Sequence, residues 1–239
     1  MASPNESSSR DRFEAFYEDW IVGQRALLYE LRQVAAFPPE AAEVDDRERR
    51  RASLIEQSLT HYQRYFVERN DLAGGDVFIV LSSPWLSSFE RTYLWISGYR
   101  PTLILRLVES GVADELSPEQ RRRLERLRAE TVRSERELSE AMAAVQESVA
   151  APPLVAVVRR MGRAVNGEIS AIDAAMERLR EAMVGVLGSA DALRESTMRT
   201  ALEMLSPAQA VKFLMAAAEL QLRIRRWGLQ RDSNTEADI

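Results

Sequence analysis

The sequence predicts an all-α fold: a single-domain helical bundle of about eight helices, two of them long, with an aromatic-rich crossing of short helices. Three observations carry this. Glycine and proline are sparse, at 10 and 9 of 239 residues, and no repeated strand-and-turn pattern occurs. Apolar residues return every three or four positions over two long stretches, from Leu124 to Val145 and from Val165 to Thr197, which is the spacing of packed bundle helices. The string Ser-Pro-x-Gln occurs twice, at Ser117 and Ser206. Each copy reads as a helix start, with a serine cap, proline in the first turn and glutamine reaching back.

Taken in order, residues 1–10 are small and polar and are expected to be disordered. From Asp11, the residues Phe13, Phe16, Trp20, Leu27, Leu31 and Val34 form a helical stripe with Gln24 in register, ended by Phe37-Pro38-Pro39. After a polar linker, a second helix runs from about Asp46 to Asn70. One row holds Ile55, Leu59, Tyr62 and Phe66; the neighbouring row holds Leu54, Ser58, His61 and Tyr65. Gly74-Gly75 marks a turn, and Asp76 caps a short helix over residues 76–81. Ser87 and Glu90 fit a capping box for the next helix. Pro101 opens another, which Gly111 is expected to close.

The long helix after Ser117 has a seam of Leu124, Leu127, Thr131, Ser134, Leu138, Ala141 and Val145, and an Arg- and Glu-rich outer face. Arg121-Arg122-Arg123 open it, where positive charge opposes the helix dipole, a mild hint of a binding face. Pro152-Pro153 break the chain. The second seam is Ile169, Ile172, Met176, Leu179, Met183, Val186, Ala190, Leu193 and Thr197, with Gly185 and Gly188 predicting a kink. The last helix carries Val211, Leu214, Ala218 and Leu222 on one side and Phe213, Leu220, Ile224 and Trp227 on the other, which predicts a central position. Residues 232–239 read as a flexible tail.

Composition excludes several chemistries. The chain has no cysteine, so disulfides, thiol catalysis and zinc-thiolate sites are absent together. His61 is the only histidine, with no second ligand to share a metal or haem site, and is assigned to packing or surface. Lys212 is the only lysine, and no phosphate-binding loop occurs. The net charge of -5 argues against general nucleic-acid binding. The N-terminus lacks the apolar core of a secretory signal, and no apolar run approaches the ~20 residues of a membrane span. A soluble, intracellular protein is expected. Carboxylates are abundant but lie in Arg-rich polar faces, so no enzyme and no cofactor is expected.

The stretch Asp76–Glu109 stands apart, with Trp85 and Trp95 ten residues apart and Glu90 and Arg100 at the same interval. Glu90 and Arg100 are expected to be partly buried and to satisfy each other or nearby carbonyls, because an unpaired buried charge is costly. The alternative is that both point to water.

Pro84-Trp85, Glu90 and the run Trp95-Ile96-Ser97-Gly98-Tyr99-Arg100-Pro101-Thr102 resemble the signature of the plant delay-of-germination, or seed dormancy control, family. Its domain also forms the C-terminal part of the TGA-type bZIP transcription factors. The resemblance extends to Trp20, Gln24 and Leu28, to Ala190, Asp191, Leu193, Arg194 and Thr197, and to Leu205, Ser206, Gln209 and Ala210, covering residues 11–231 as one domain. The ending RRWGLQRD resembles more nearly the short members that carry no bZIP, and no stretch of this sequence sets a basic helix ahead of a heptad zipper.

The resemblance implies a non-enzymatic regulator in the nucleus and cytoplasm, working through protein partners in seed dormancy, germination or abscisic-acid signalling. It implies type 2C protein phosphatases or bZIP transcription factors as partners, and pollen-wall patterning is another branch of the family. The signature residues carried over are Trp85, Glu90, Trp95, Gly98, Arg100, Pro101, Leu193, Arg194 and Gln209. The candidate partner-binding residues are Arg121, Arg122 and Arg126. Two alternatives stand beside this reading. One is a helical sensor holding a lipid or haem-like ligand between seams bearing Met142, Met176, Met183 and Met215. The other is a transcription-factor relative that reaches DNA only through a bZIP partner. A second copy of the chain is a further candidate partner. So is calmodulin, through the basic amphipathic segment from Val211 to Trp227.

Overall fold

The computed structural model describes residues 4–36, 44–149 and 166–237. They form eight α-helices: α1 (Pro4–Ala36), α2 (Val44–Gly75), α3 (Val77–Ser82), α4 (Ser88–Arg91), α5 (Pro101–Val112), α6 (Pro118–Val149), α7 (Asn166–Glu203) and α8 (Pro207–Ala237). A 3-10 turn, Ala113–Glu115, joins α5 to α6. Among the described residues, β pairing is limited to an isolated bridge between Trp95 and Gly98. The domain is all-α, as the sequence predicts.

Local chemistry sets the helix starts. Proline occupies the first position of α1, α5, α6 and α8, where its fixed φ suits the helix and its missing N–H costs nothing. Asp76 caps α3, its Oδ1 accepting from Phe78 N at 2.8 Å and Ile79 N at 3.2 Å. Ser87 and Glu90 form the expected capping box on α4.

Three boundaries differ from the sequence reading. α1 begins at Pro4 and takes in residues assigned to a disordered leader, with Arg10 and Glu14 paired one turn apart. α8 continues to Ala237 through the expected tail, because Asp232 accepts from Ser88 N at 2.9 Å and pairs with the Ser88 hydroxyl, tying this end to α4. Gly111 lies inside α5 rather than closing it. Its bare backbone faces α8, where a Cβ would sit 4.0 Å from the Lys212 carbonyl. The Phe37-Pro38-Pro39 and Pro152-Pro153 breaks and Val165 lie outside the described residues, as do the side chains of Ile169 and Ile172.

The buried apolar residues form two clusters. One joins Leu31 and Val34 of α1, Leu105 and Val108 of α5, Leu124 and Leu127 of α6, and Val211, Phe213 and Leu214 of α8. The other joins Phe13, Tyr17, Trp20 and Ile21 of α1 to Val77 and Val80 of α3, Trp85, and Leu179, Met183 and Leu187 of α7. Between the two clusters, α1 buries Gln24 beside Leu28, and α7 buries Asp191, Arg194 and Thr197 beside Ala190. The α8 helix is central as expected, packing on α1, α2, α4 and α5. Its end differs: Trp227 is exposed and touches the Phe89 ring edge-on at 5.1 Å, because the helix has by then run beyond the core and over α4.

The α7 seam drifts from the expected register. Leu187 and Arg194 are buried where Val186 and Leu193 were expected, and Met176 is exposed. A straight helix at 3.6 residues per turn drifts out of a strict 3.5-residue repeat, and the drift moves an arginine into the interior. α7 runs unbroken through Gly185 and Gly188.

Candidate functional site

The site is the turn at Trp95–Gly98 and the buried charges around it. Trp95 N donates to Gly98 O at 2.6 Å and Gly98 N returns to Trp95 O at 3.2 Å. The central residues Ile96 and Ser97 take φ of 46° and 57°. This two-residue turn favours glycine and asparagine, and a β-branched residue there is strained. Buried partners hold it. Arg194 Nε donates to Tyr99 O at 2.9 Å, and its Nη2 donates to the carbonyls of Trp95 and Ile96. Arg69 Nη1 donates to Ser97 O. The Ser97 hydroxyl donates to Val80 O at 2.5 Å.

Both arginines meet the same carboxylate oxygen. Arg194 Nη1 lies 2.6 Å from Asp191 Oδ1, and Arg69 Nη2 pairs with that atom too. Burial, with the neighbouring Arg69 charge, holds the Arg194 guanidinium down at about 10. It is still a cation at neutral pH. Gly98 makes room for it: a Cβ there would lie 2.7 Å from Arg194 Cζ.

Glu90 and Arg100 do not meet. Glu90 is 2 % exposed and accepts from Ser87 N at 2.9 Å and from the Ser87 hydroxyl at 2.7 Å. Its cation is Arg225 of α8, at 3.5 Å. Arg225 also pairs with Glu18 and lies over the Tyr17 ring at 4.9 Å. The Arg100 side chain is 56 % exposed, and its contact with Glu135 is long, at 3.5 Å. Arg100 precedes Pro101, so its backbone is extended at the mouth of α5 and its side chain leaves toward solvent over Trp95. Glu135, absent from the sequence reading, serves α5 instead: it accepts from Thr102 N at 2.7 Å and from the Thr102 hydroxyl at 3.2 Å. Glu90 is buried, as expected, and so are Glu135 and Asp191, against the expectation that the other acids occupy polar faces. Each is bound to a guanidinium, and two of them also cap a helix.

The remaining signature residues are structural in this arrangement. Trp85 is buried against Phe13 at 4.5 Å. Trp95 Nε1 donates to Ser139 Oγ at 2.8 Å, joining the turn to α6. Pro101 is buried and Leu193 half-buried. Gln209 Nε2 donates to Glu115 O at 2.8 Å, and its Oε1 accepts from Gln120 Nε2 at 2.9 Å. The two Ser-Pro-x-Gln starts therefore interlock. His61 stacks on Trp20 at 4.4 Å, and burial, with Arg64 nearby, lowers its pKa to about 4.

The candidate partner residues divide. Arg121 Nε and Nη2 donate to the carbonyls of Leu116 and Ala113 at 3.2 and 3.1 Å, closing the turn before its own helix. That contact accounts for positive charge at a helix start. Arg122 and Arg126 are exposed and share Glu119.

A cavity of about 160 Å³ adjoins the turn, lined by Tyr17, Tyr62, Arg69, Tyr99, Leu103 and Arg194 among others. None of Met142, Met176, Met183 and Met215 lines it. Met142 and Met183 are buried core and Met176 is exposed, so the methionine seams do not frame this space. The α8 segment considered for calmodulin buries Phe213 completely.

Arg69 and Arg225 were readable in principle. Arg69 continues the apolar row Tyr62, Phe66 by three, and Arg225 continues Leu214, Ala218 by seven. An arginine in phase with an apolar stripe is the signal. No helix among the described residues is long and apolar enough to cross a membrane.

The sequence has relatives among known proteins. The DOG1 family model, described as seed dormancy control, matches residues 27–110, from within α1 to the end of α5. Over 228 residues the chain is 35% identical to Protein ZW2 of Arabidopsis thaliana, covering 93% of this chain and 99% of that one. Protein RESPONSE TO ABA AND SALT 1 of the same plant is 37% identical over 227 residues, 93% of this chain and 96% of that one. Transcription factor TGA4, also from Arabidopsis thaliana, is 35% identical over 228 residues, which cover 57% of its length.

Proposed function

The chain belongs to the DOG1, or seed dormancy control, family, and from that premise we propose that it is a non-enzymatic regulatory protein acting through protein partners in dormancy, germination and abscisic-acid signalling. The observation that carries this reading is the near full-length match to Protein ZW2 and to Protein RESPONSE TO ABA AND SALT 1, whose name ties it to abscisic acid. The similarity to TGA4 supports transcription regulation in the nucleus as well as the cytoplasm, with DNA reached only through a bZIP partner. Type 2C protein phosphatases and bZIP factors are the partners proposed. The partner face is the outer side of α6 around Arg122 and Arg126, because exposed arginines there are held only by a surface glutamate, a weak interaction.

The test is affinity capture from plant nuclear and cytosolic extracts, read by mass spectrometry. Arg122→Glu/Arg126→Glu is the paired control, since it leaves the Arg121 contacts with the preceding turn intact. Enrichment of phosphatases or bZIP factors, lost in the control, is expected. No specific protein partner in either extract would overturn the reading. A motif enriched by the isolated protein from random duplexes at physiological salt would overturn its DNA part.

A further inference from the structure

The cavity beside the tryptophan turn combines an aromatic wall with two buried guanidiniums that share one carboxylate. Tyr17, Trp20, Tyr62, Tyr65 and Phe66 supply rings, and Leu103, Ile104 and Leu107 supply aliphatic surface. At about 160 Å³ it matches the size of an engineered apolar cavity that takes benzene, roughly 150 Å³. A long acyl chain or a tetrapyrrole exceeds that space. Its lining also includes Arg69 and Arg194, which share one oxygen of Asp191. Two buried guanidiniums thus face one carboxylate charge, and both bind its Oδ1 while its Oδ2 has no hydrogen-bond partner. The two lining carboxylates are already held, Glu90 by Arg225 and Ser87 and Glu195 by Arg199. Arg69 is 1 % exposed, yet its Nε has no hydrogen-bond partner. A buried donor without an acceptor is costly and rare. Arg100 and Arg199 also line the space, each beside a carboxylate: Arg100 has Glu135 at 3.5 Å and Arg199 has Glu195 at 3.2 Å.

We propose that this cavity is a binding site for a small aromatic monocarboxylate of benzoate size, its ring among the tyrosines and its carboxylate accepting from Arg69 Nε. The carboxylate completes the charge balance that Asp191 leaves open. The ring takes up apolar volume that water would fill poorly. This goes beyond partner binding and stands independently of it: capture of proteins from extract can fail while the cavity still binds its ligand.

The experiment titrates the full chain with benzoate, benzamide and toluene, read by calorimetry and by tryptophan fluorescence, since Trp20 lines the cavity. Benzoate is expected to bind at least about tenfold more tightly than benzamide, its neutral isostere, or toluene. Arg69→Met removes the donor, but it also removes contacts with Ser97 and Asp191 and can unfold the protein. Ala217→Phe provides the second arm: it fills the cavity from α8 and leaves every guanidinium in place. It is expected to keep the helical circular dichroism and to weaken benzoate at least about tenfold. Three results would overturn the proposal: no heat and no fluorescence change with benzoate up to about 10 mM, benzamide binding as well as benzoate, or unchanged binding in folded Ala217→Phe.

Discussion

Replacing Gly98 by alanine tests the account of the turn with one added methyl group. Its Cβ would stand 2.7 Å from Arg194 Cζ, 2.8 Å from Nε and 3.0 Å from Nη2. An arginine tip normally yields at little expense, but this one is 5 % exposed and tied to Tyr99 O, Trp95 O, Ile96 O and Asp191. To move, it must weaken one or two bonds from a charged donor, each worth about 1.5–3 kcal/mol. A loss of ~2–4 kcal/mol follows, or a fall in Tm of roughly 5–15 °C for a chain of this size. Gly185→Ala is the matched control, since no atom lies within 4 Å of its added Cβ. It sits inside α7 and should stabilise by up to ~1 kcal/mol. Thermal melts of both variants and of Arg194→Ala, alone and with Gly98→Ala, close the cycle. If Gly98→Ala melts within ~1 °C of the parent, or costs as much without Arg194 as with it, the steric argument is wrong.

Arg100→Ala is expected to cost less than ~1 kcal/mol, because its side chain is exposed and its ion pair long, whereas Glu135→Ala should cost ~2 kcal/mol by uncapping α5; urea titrations separate them. Gln120→Ala and Gln209→Ala should each destabilise by ~1–2 kcal/mol, and the double variant by clearly less than the sum, because each loses the other's partner. Additive losses would show that the two caps act separately. The imidazole of His61, the only histidine, should titrate near 4 by NMR rather than near 6.5. Its folded pKa is depressed, so the folded state binds fewer protons over that interval. Its contribution to stability is complete above the unfolded value and is lost as pH falls from about 6.5 toward about 4. The loss should shrink in His61→Phe, measured by urea midpoints at the two ends of that range.

What the sequence shows is what short-range chemistry determines. Caps, proline starts and apolar periods depend on neighbours within four residues, and Asp76, the Ser87–Glu90 box and both Ser-Pro-x-Gln starts appear where they are read. Partner choice across the bundle does not follow from spacing. Glu90 and Arg100 lie ten residues apart in sequence, yet Glu90 finds Arg225 and Arg100 finds Glu135, because α8 and α6 deliver those groups from the far side. Arg121 looks like a free surface cation until the turn that it closes comes into view. Of the methionines, the four read as seam residues do not line the cavity, whereas Met198, not singled out in the sequence, does.

The contacts of α8 bear on the order in which the molecule is made. This helix leaves the ribosome after every helix it packs against. It brings Gln221 to Gln24, Glu219 to Arg32 and Arg225 to Glu18, contacts that close loops of roughly 190–210 residues. Until it emerges, Leu31 and Val34 lack the Val211, Phe213 and Leu214 side of their cluster, and Glu90 has no cation. Nascent chains must therefore wait with a long aromatic-rich surface uncovered, and a chaperone that shelters α1 and α5 has a defined interval in which to act. A premature stop before Pro207 removes the cover of both apolar clusters at once, and such a product should go to degradation rather than survive as a shortened domain.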